Sequence, residues 1–237
     1  MERVKTGVTG FDDLVQGGFP KGASILVSGG TGCGKSIFAM QYIYNGAKLY
    51  NEPGLYVTLE TNLKNITWDM QNFSWDIKPL QDAGLMKIYR LNLGLSSDPA
   101  NIEDQIEAEL ETISAMVKEL GAKRIVIDST TAFGVWIREE GKLRGTLYKF
   151  IDTLKDLDCT TLLTAEVRGD KHTLSAFGVE EFVSDGVVAL YFTPPFRSLF
   201  VRKMRGTNHS KKIHPFDITS QGLKVNPKDE ILWDAVK

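Results

Sequence analysis

Cysteine is scarce in this chain. Cys33 and Cys159 are the only two in 237 residues, which excludes a disulfide framework and the clustered cysteines of a structural zinc site. No apolar run is long enough to span a bilayer, and the opening stretch MERVKTGVTGFDDL lacks the apolar core of a secretion signal. The expectation is a cytoplasmic protein with no membrane partner. A surplus of positive charge is also missing, since 28 Lys and Arg stand against 30 Asp and Glu, a net charge of −2. Dedicated nucleic-acid binders carry a strong basic excess, so nucleic acid is left to a local patch and is not favoured. Linkers, internal repeats and low-complexity segments are absent. With 42% hydrophobic residues, the chain has enough apolar material for one large α/β domain over residues 1–237.

What is present is most concentrated between Gly29 and Ser36, which read Gly-Gly-Thr-Gly-Cys-Gly-Lys-Ser and fill every fixed position of the G-x-x-x-x-G-K-S/T phosphate loop. An apolar strand, Ser24 to Ser28, precedes it, and a helical pattern from Ile37 follows it. Such a loop turns backbone N–H groups inward and sets a helix N-terminus against phosphate oxygens. Gly30, Thr31, Gly32, Cys33, Gly34 and Ile37 then line the phosphate path. Lys35 reaches the terminal phosphates, and the Ser36 hydroxyl ligates Mg²⁺. Cys33 reads first as a small residue that fits its loop, and second as a thiol whose modification would block nucleotide entry.

Apolar runs rich in β-formers alternate with helical patterns along most of the chain. Strands are expected at Leu55–Leu59, Met86–Tyr89, Arg124–Asp128 and Thr160–Thr164. Helices are expected over about 35–50, from Asn62 to Ser74, over Ile102–Leu120, where apolar residues recur at helical spacing, and over Leu143–Leu157. This alternation predicts a mostly parallel sheet flanked by helices. The tail differs. Strand-like runs at Val187–Phe192, Ser198–Arg205, Pro215–Ile218 and Leu223–Val225 have no helix between them, which predicts antiparallel strands added at one sheet edge.

Three further features carry chemistry. Asp128 ends an apolar strand, where ligands of such sheets bind, and reads as the acid that holds the water shell of Mg²⁺; the alternative is a turn or helix-capping aspartate. Glu60 follows the strand at Leu59 and is a candidate for orienting or deprotonating an attacking water; the alternative is a solvated carboxylate opening the next helix. The cluster from Arg202 to Lys212 holds Lys203 and Arg205, whose equal parity puts them on one face of a strand. Two adjacent cations suit a shared anion, while a basic edge strand that resists aggregation reads equally well.

Several motifs, taken together and in order, resemble one family. GVTGFDDLVQGGFPKG, GGTGCGKS, LYVTLET, IVIDS, FGVEEFVSDGVV, KMRGTNH and PFDIT are similar to KaiC-type domains of the RecA superfamily over nearly the whole chain. The resemblance implies a RecA-like phosphate-loop fold and a homo-oligomer, a hexameric ring with ATP and Mg²⁺ bound between subunits. By it, Lys35 and Ser36 bind phosphate and metal, and Asp128 is the Walker B acid. Glu60 matches the first of the family's paired glutamates, and Thr61 replaces the second. Lys203 and Arg205 fall on basic residues that reach the γ-phosphate of the adjacent subunit. Arg197 and His209 fall on further nucleotide contacts across that interface. Glu181-Phe182 stands where the kinase half of the clock protein carries its Ser-Thr pair, so autokinase activity is not expected.

The function this implies is Mg²⁺-dependent ATP binding and hydrolysis by a ring that signals its nucleotide state to a protein partner the sequence does not name. Two other readings stand beside it. One is a recombinase-like ATPase with the loop Arg168-Gly169-Asp170-Lys171-His172 against a single strand. The other is an ATP-binding scaffold that does not hydrolyse, which the replacement at Thr61 keeps open.

Overall fold

The computed structural model describes residues 1–59, 62–93, 102–167, 169 and 172–232. A short antiparallel pair, β1 (Arg3–Val4) and β2 (Phe19–Pro20), brackets a 3₁₀ turn at Asp12–Val15. Next come β3 (Ser24–Gly29), α1 (Lys35–Tyr50), β4 (Gly54–Thr58), α2 (Leu63–Asn72), α3 (Lys78–Asp82), β5 (Met86–Arg90), α4 (Ile102–Leu120) and β6 (Arg124–Asp128). A second 3₁₀ turn at Thr130–Ala132 leads into α5 (Phe133–Trp136), α6 (Glu140–Lys155), β7 (Thr160–Glu166) and α7 (Glu180–Val183). The tail forms β8 (Gly186–Thr193), β9 (Phe196–Met204), β10 (Ile213–Thr219) and β11 (Gly222–Val225).

Nine of these strands make one sheet in the order β11-β10-β9-β8-β3-β7-β6-β4-β5. From β8 to β5 the pairing is parallel throughout, and β9, β10 and β11 are added antiparallel at the β8 side. The mostly parallel sheet with an antiparallel C-terminal edge is thus as expected. Side chains of successive strand residues go to opposite faces. On β3, Ile25 and Val27 join the core under α1 to α3, while Leu26 joins the core under α4 and α6. All six residues of β3 are buried, because it lies inside the sheet and is covered on both faces.

The helix α1 is buried almost all round, from Phe38 through Ala47, because it lies between the sheet, the N-terminal segment and β11. Phe11 packs edge-on against both Phe19 and Phe38, with ring centroids 5.6 and 5.1 Å apart. The β1–β2 pair carries no periodic signal. It is held in part by Arg3, which donates to the carbonyls of Val15 and Gly18 and to the Thr207 hydroxyl at 2.7 Å.

Several boundaries differ from the sequence reading. β4 starts one residue earlier than expected and ends at Thr58. Helix α6 begins at Glu140, whose first turn is polar and gives no apolar cue, and it ends before Leu157, ahead of the left-handed turn at Asp158. Strand β7 runs two residues past Thr164, to Glu166, and β9 starts two residues before Ser198, at Phe196. Both extensions carry residues into the site described below. The short helices α3, α5 and α7 were not expected.

Arg124, the first residue of β6, is fully buried and carries a charge into the sheet's lower edge. Its guanidinium donates to Glu52 at 2.7 Å, to the carbonyl of Tyr42 at 3.0 Å and to that of Lys5 at 2.8 Å, and it lies over the Tyr42 ring. Gly46 makes room for it, since a Cβ there would stand 2.4 Å from Arg124 Nε. Gly46→Ala adds a residue that favours helices by about 1 kcal/mol, yet urea unfolding should show a net loss of about 1–3 kcal/mol from overpacking against the pinned guanidinium. A stabilised variant would show that Arg124 is not held by these bonds.

Candidate nucleotide site

The loop 29–36 leaves β3 at its C-terminal tip, at the centre of the sheet. Gly29 must be small because a Cβ would approach the Leu190 carbonyl of β8 to 2.4 Å. Gly34 caps α1 with φ of 102°, a left-handed backbone that side chains disfavour. The amide of Phe38 then closes the first helical turn onto the Gly34 carbonyl at 2.9 Å. Lys35 is buried, and its ammonium folds back onto the carbonyls of Gly29 and Gly30 at 3.0 and 2.9 Å. Within the chain, the loop's own oxygens therefore serve as acceptors for the charge that a phosphate would otherwise meet.

A cleft of 360 Å³ opens over this loop, within the range of about 300–1,000 Å³ usual for small-ligand sites. Lys35, Ser36 and Ile37 line it from the loop and α1, and Asp128 and Ser129 from the end of β6. The sheet order is what brings Asp128 to the loop, since β7 alone separates β6 from β3. The Asp128 carboxylate accepts the Tyr56 hydroxyl on one oxygen and the Thr164 hydroxyl on the other. Burial first, then the adjacent Asp128 charge, pushes the Tyr56 phenol well above its usual range, so Tyr56 is the donor.

The other expected residues divide by position. Arg197, which the resemblance puts among contacts across a subunit interface, lines the cleft over its own chain's loop, from β9, opposite Phe216 of β10. Its guanidinium lies 4.2 Å from the Phe192 ring centre, and its buried Nε has no hydrogen-bond partner among the described residues. Arg205 lies at the opposite end of the sheet, and Lys203, opposite Val187, is level with Leu26 in the middle of β3. The Arg205 amide bonds the Asp185 carbonyl at 2.9 Å, and the Asp185 amide bonds the carbonyl of Ser24, where β3 begins. Five residues of β3 separate that level from Gly29, about 16 Å at the usual rise per strand residue. Arg205 pairs with the Asp185 carboxylate at 3.1 Å, and the Lys203 ammonium donates to the Glu181 carbonyl at 2.9 Å. Desolvation, then the Arg205 charge, lowers the Lys203 ammonium from the ordinary lysine value. His209 sits in the following loop, its Nδ1 2.8 Å from the Ser210 carbonyl, and does not line the cleft.

Glu60 and Thr61 lie outside the described residues, as do Arg168, Asp170 and Lys171 of the loop weighed for single-strand binding. Three residues that meet at this site went unread in the sequence. Glu166 lines the cleft from the last position of β7 and is half-exposed. Tyr56 and Thr164 were read as ordinary strand residues. Strand length would have found Glu166; the other two need the order of the strands.

Could the site hold a divalent cation? Among the described residues no group of three His, Cys, Asp or Glu side chains forms a metal cluster. A cation in a triphosphate site needs none, because phosphates and water supply most of its oxygens. The Ser36 hydroxyl and the Asp128 carboxylate, hard oxygen donors in one cleft, fit that pattern.

A phosphate loop at the tip of a central parallel strand, with an acid at the tip of another strand of the same sheet, defines a RecA-type phosphate-loop NTPase fold. The family model for the KaiC ATPase matches residues 4–230, and the chain belongs to that family. It is 37% identical over 243 residues to a UPF0273 protein of Methanocaldococcus jannaschii, covering 98% of this chain and 99% of that one. It is 38% identical over 231 residues to the circadian clock oscillator protein KaiC of Parathermosynechococcus lividus, and there the match covers 94% of this chain but 42% of the clock protein. The crystal structure of a KaiC-like protein from Pyrococcus horikoshii superposes with a TM-score of 0.85 at 39% identity, covering 95% of this chain and 99% of that one. Among the described residues no helix is long and apolar enough to cross a membrane.

Cys33 is buried in the loop, and desolvation raises its thiol above the ordinary cysteine value, away from the reactive thiolate. Cys33→Ala should therefore bind a fluorescent ATP analogue as wild type does in an equilibrium titration. A marked loss of affinity would show that the sulfur itself contributes to the site.

Proposed function

We propose that this protein hydrolyses ATP with Mg²⁺ as part of a ring, the loop of one subunit holding the triphosphate and Lys203 and Arg205 of the next completing the site. The observation that carries this reading is the placement of cations at different levels along the sheet. Lys35 and Arg197 border the cleft, while Arg205 lies about 16 Å and Lys203 about 10 Å away along the strands, both turned to partners away from their own chain's loop. In the KaiC family the same basic residues are expected to face a neighbouring subunit.

The chemistry follows from the residues. Inward-turned amides of the loop and the N-terminus of α1 meet the phosphate charge. The Lys35 ammonium exchanges two neutral carbonyl acceptors for anionic oxygens, which bind it more strongly. Arg197 holds its guanidinium against Phe192 at the cleft wall, a positive charge beside the ligand's oxygens. Bound Mg²⁺ would neutralise charge on the β- and γ-phosphates, with Ser36 and Asp128 as the protein's oxygen donors. Glu60, two residues beyond the last residue of β4 in sequence, would orient the attacking water. Lys203 and Arg205 crowd two positive charges, and an anion between them relieves that repulsion. A ring whose interfaces contain the γ-phosphate changes its contacts when the phosphate leaves, which suits a nucleotide-driven switch read by a partner protein. Glu181 and Phe182 offer no hydroxyl for autophosphorylation. A cytoplasmic location accords with this role.

Steady-state ATPase measurements test the assignment. Lys35→Ala should weaken nucleotide binding by about 10- to 100-fold, the worth of charge-assisted hydrogen bonds. Arg205→Ala should bind ATP yet lose about 10³-fold or more in turnover. Glu60→Gln should bind normally and lose about 10²- to 10⁴-fold. Wild-type turnover in either of the last two variants would remove that residue from the mechanism.

A further inference from the structure

Asp128 is held in a way that the phosphate-loop chemistry alone does not require. The carboxylate is nearly buried, and it receives a hydroxyl on each oxygen, from strands on either side of its own. Register explains the two residue types. Ile127 pairs with Leu163, so Thr164 stands level with Asp128 across the β6–β7 pair, where a short side chain reaches. Across the β6–β4 pair, Thr58 stands level with Asp128 and Tyr56 is the diagonal neighbour, opposite Val126. A diagonal neighbour needs a long side chain, and the phenol supplies it. Both donors are buried, and the Tyr56 ring packs in the core beneath α1.

An aspartate that only filled a turn would need no such arrangement. Two donors from opposite sides fix the plane of the carboxylate, because rotation about its terminal torsion breaks both bonds together. A carboxylate has about four lone-pair positions, so two hydroxyls leave acceptor capacity for the cleft that Asp128 lines. The Thr164 carbonyl is fixed in turn, accepting the Thr130 hydroxyl at 3.1 Å. The support therefore continues into the 3₁₀ turn that follows β6.

We propose that Tyr56 and Thr164 are positioning residues that aim Asp128 at the metal of the nucleotide complex and thereby set the affinity for Mg²⁺. This rests on the metal reading of Asp128. Partners that orient a metal-binding group usually contribute 10- to 100-fold in metal affinity when removed, without touching the metal. The effect should fall on the metal and spare the loop's own hold on phosphate, because neither side chain belongs to the loop.

The test is a titration of Mg²⁺ against the full-length protein with a fluorescent ADP analogue, read as the Mg²⁺ concentration that gives half of the metal-dependent change in affinity. Tyr56→Phe and Thr164→Val should each raise that midpoint by about tenfold. Thr164→Ser, which keeps the hydroxyl, should stay with the wild type. Affinity measured with a chelator present should be the same in all four proteins, and thermal melting without nucleotide reports on folding. If either substitution prevents folding, the other gives the same readout from the opposite strand. A folded Tyr56→Phe or Thr164→Val protein with an unchanged midpoint overturns the proposal. So does an equal loss of affinity with and without Mg²⁺, which is the mark of a merely structural role. The underlying assignment fails separately: then neither wild type nor Asp128→Asn responds to Mg²⁺ differently from the other.

Discussion

The constraint on which the rest depends is the close approach of loop 29–36 to its surroundings. The loop joins a fully buried strand to a nearly fully buried helix, so its backbone has little freedom to adjust to a ligand. Its shape is set beforehand by the Leu190 carbonyl pressing on Gly29 and by the left-handed Gly34 at the helix entrance. The N-terminal segment and β11 cover the outer side of α1, so the tail and the head of the chain both brace the helix that faces phosphate. The antiparallel edge thus contributes more than extra strands. It also delivers Arg197 to the cleft and lays Ile218 against the loop, 3.3 Å from where a side chain at Gly34 would begin.

Charge is distributed with the same economy. The two cations that line the cleft among the described residues each have an interim partner, Lys35 on carbonyls and Arg197 on the face of Phe192. Farther along the strands, Lys203 and Arg205 are likewise held by a carbonyl and a carboxylate. These are weak, exchangeable partners for groups whose better partner is an anion. A single β-strand, β9, carries Arg197 near one end and Lys203 at the other. In the proposed ring that strand would present one cation to its own nucleotide and others to the next, so movement of the strand would be felt at both.

Much of this was legible in the residues, and the reasons differ by element. Helix α4 matches its expected bounds because five apolar residues, Ile102 to Val117, recur on one face and Gly121 follows close behind. Strand β6 matches because three β-branched apolar positions, Ile125 to Ile127, end in an acid. The loop needed no inference beyond its spacing. The short elements were not legible, since α3, α5, α7 and the β1–β2 pair are held by distant contacts such as Arg3 with Thr207 and carry no period of their own. Tyr56 and Thr164 were hidden for another reason. They meet at Asp128 only because β4, β6 and β7 are neighbours in the sheet, and strand order is not written in local sequence. The place of Arg197 in the cleft was hidden in the same way, because it depends on the register that sets it opposite Phe216.

The central claim is that each site is divided between two subunits, and the most direct measurement mixes two inactive proteins. Lys35→Ala subunits lack the loop's charge but keep Arg205, and Arg205→Ala subunits keep the loop. In rings reassembled from equal amounts, the account predicts that ATPase activity returns to about a quarter of wild type, the share of interfaces that pair an intact loop with an intact Arg205. No return of activity from rings verified to contain both subunits would contradict it.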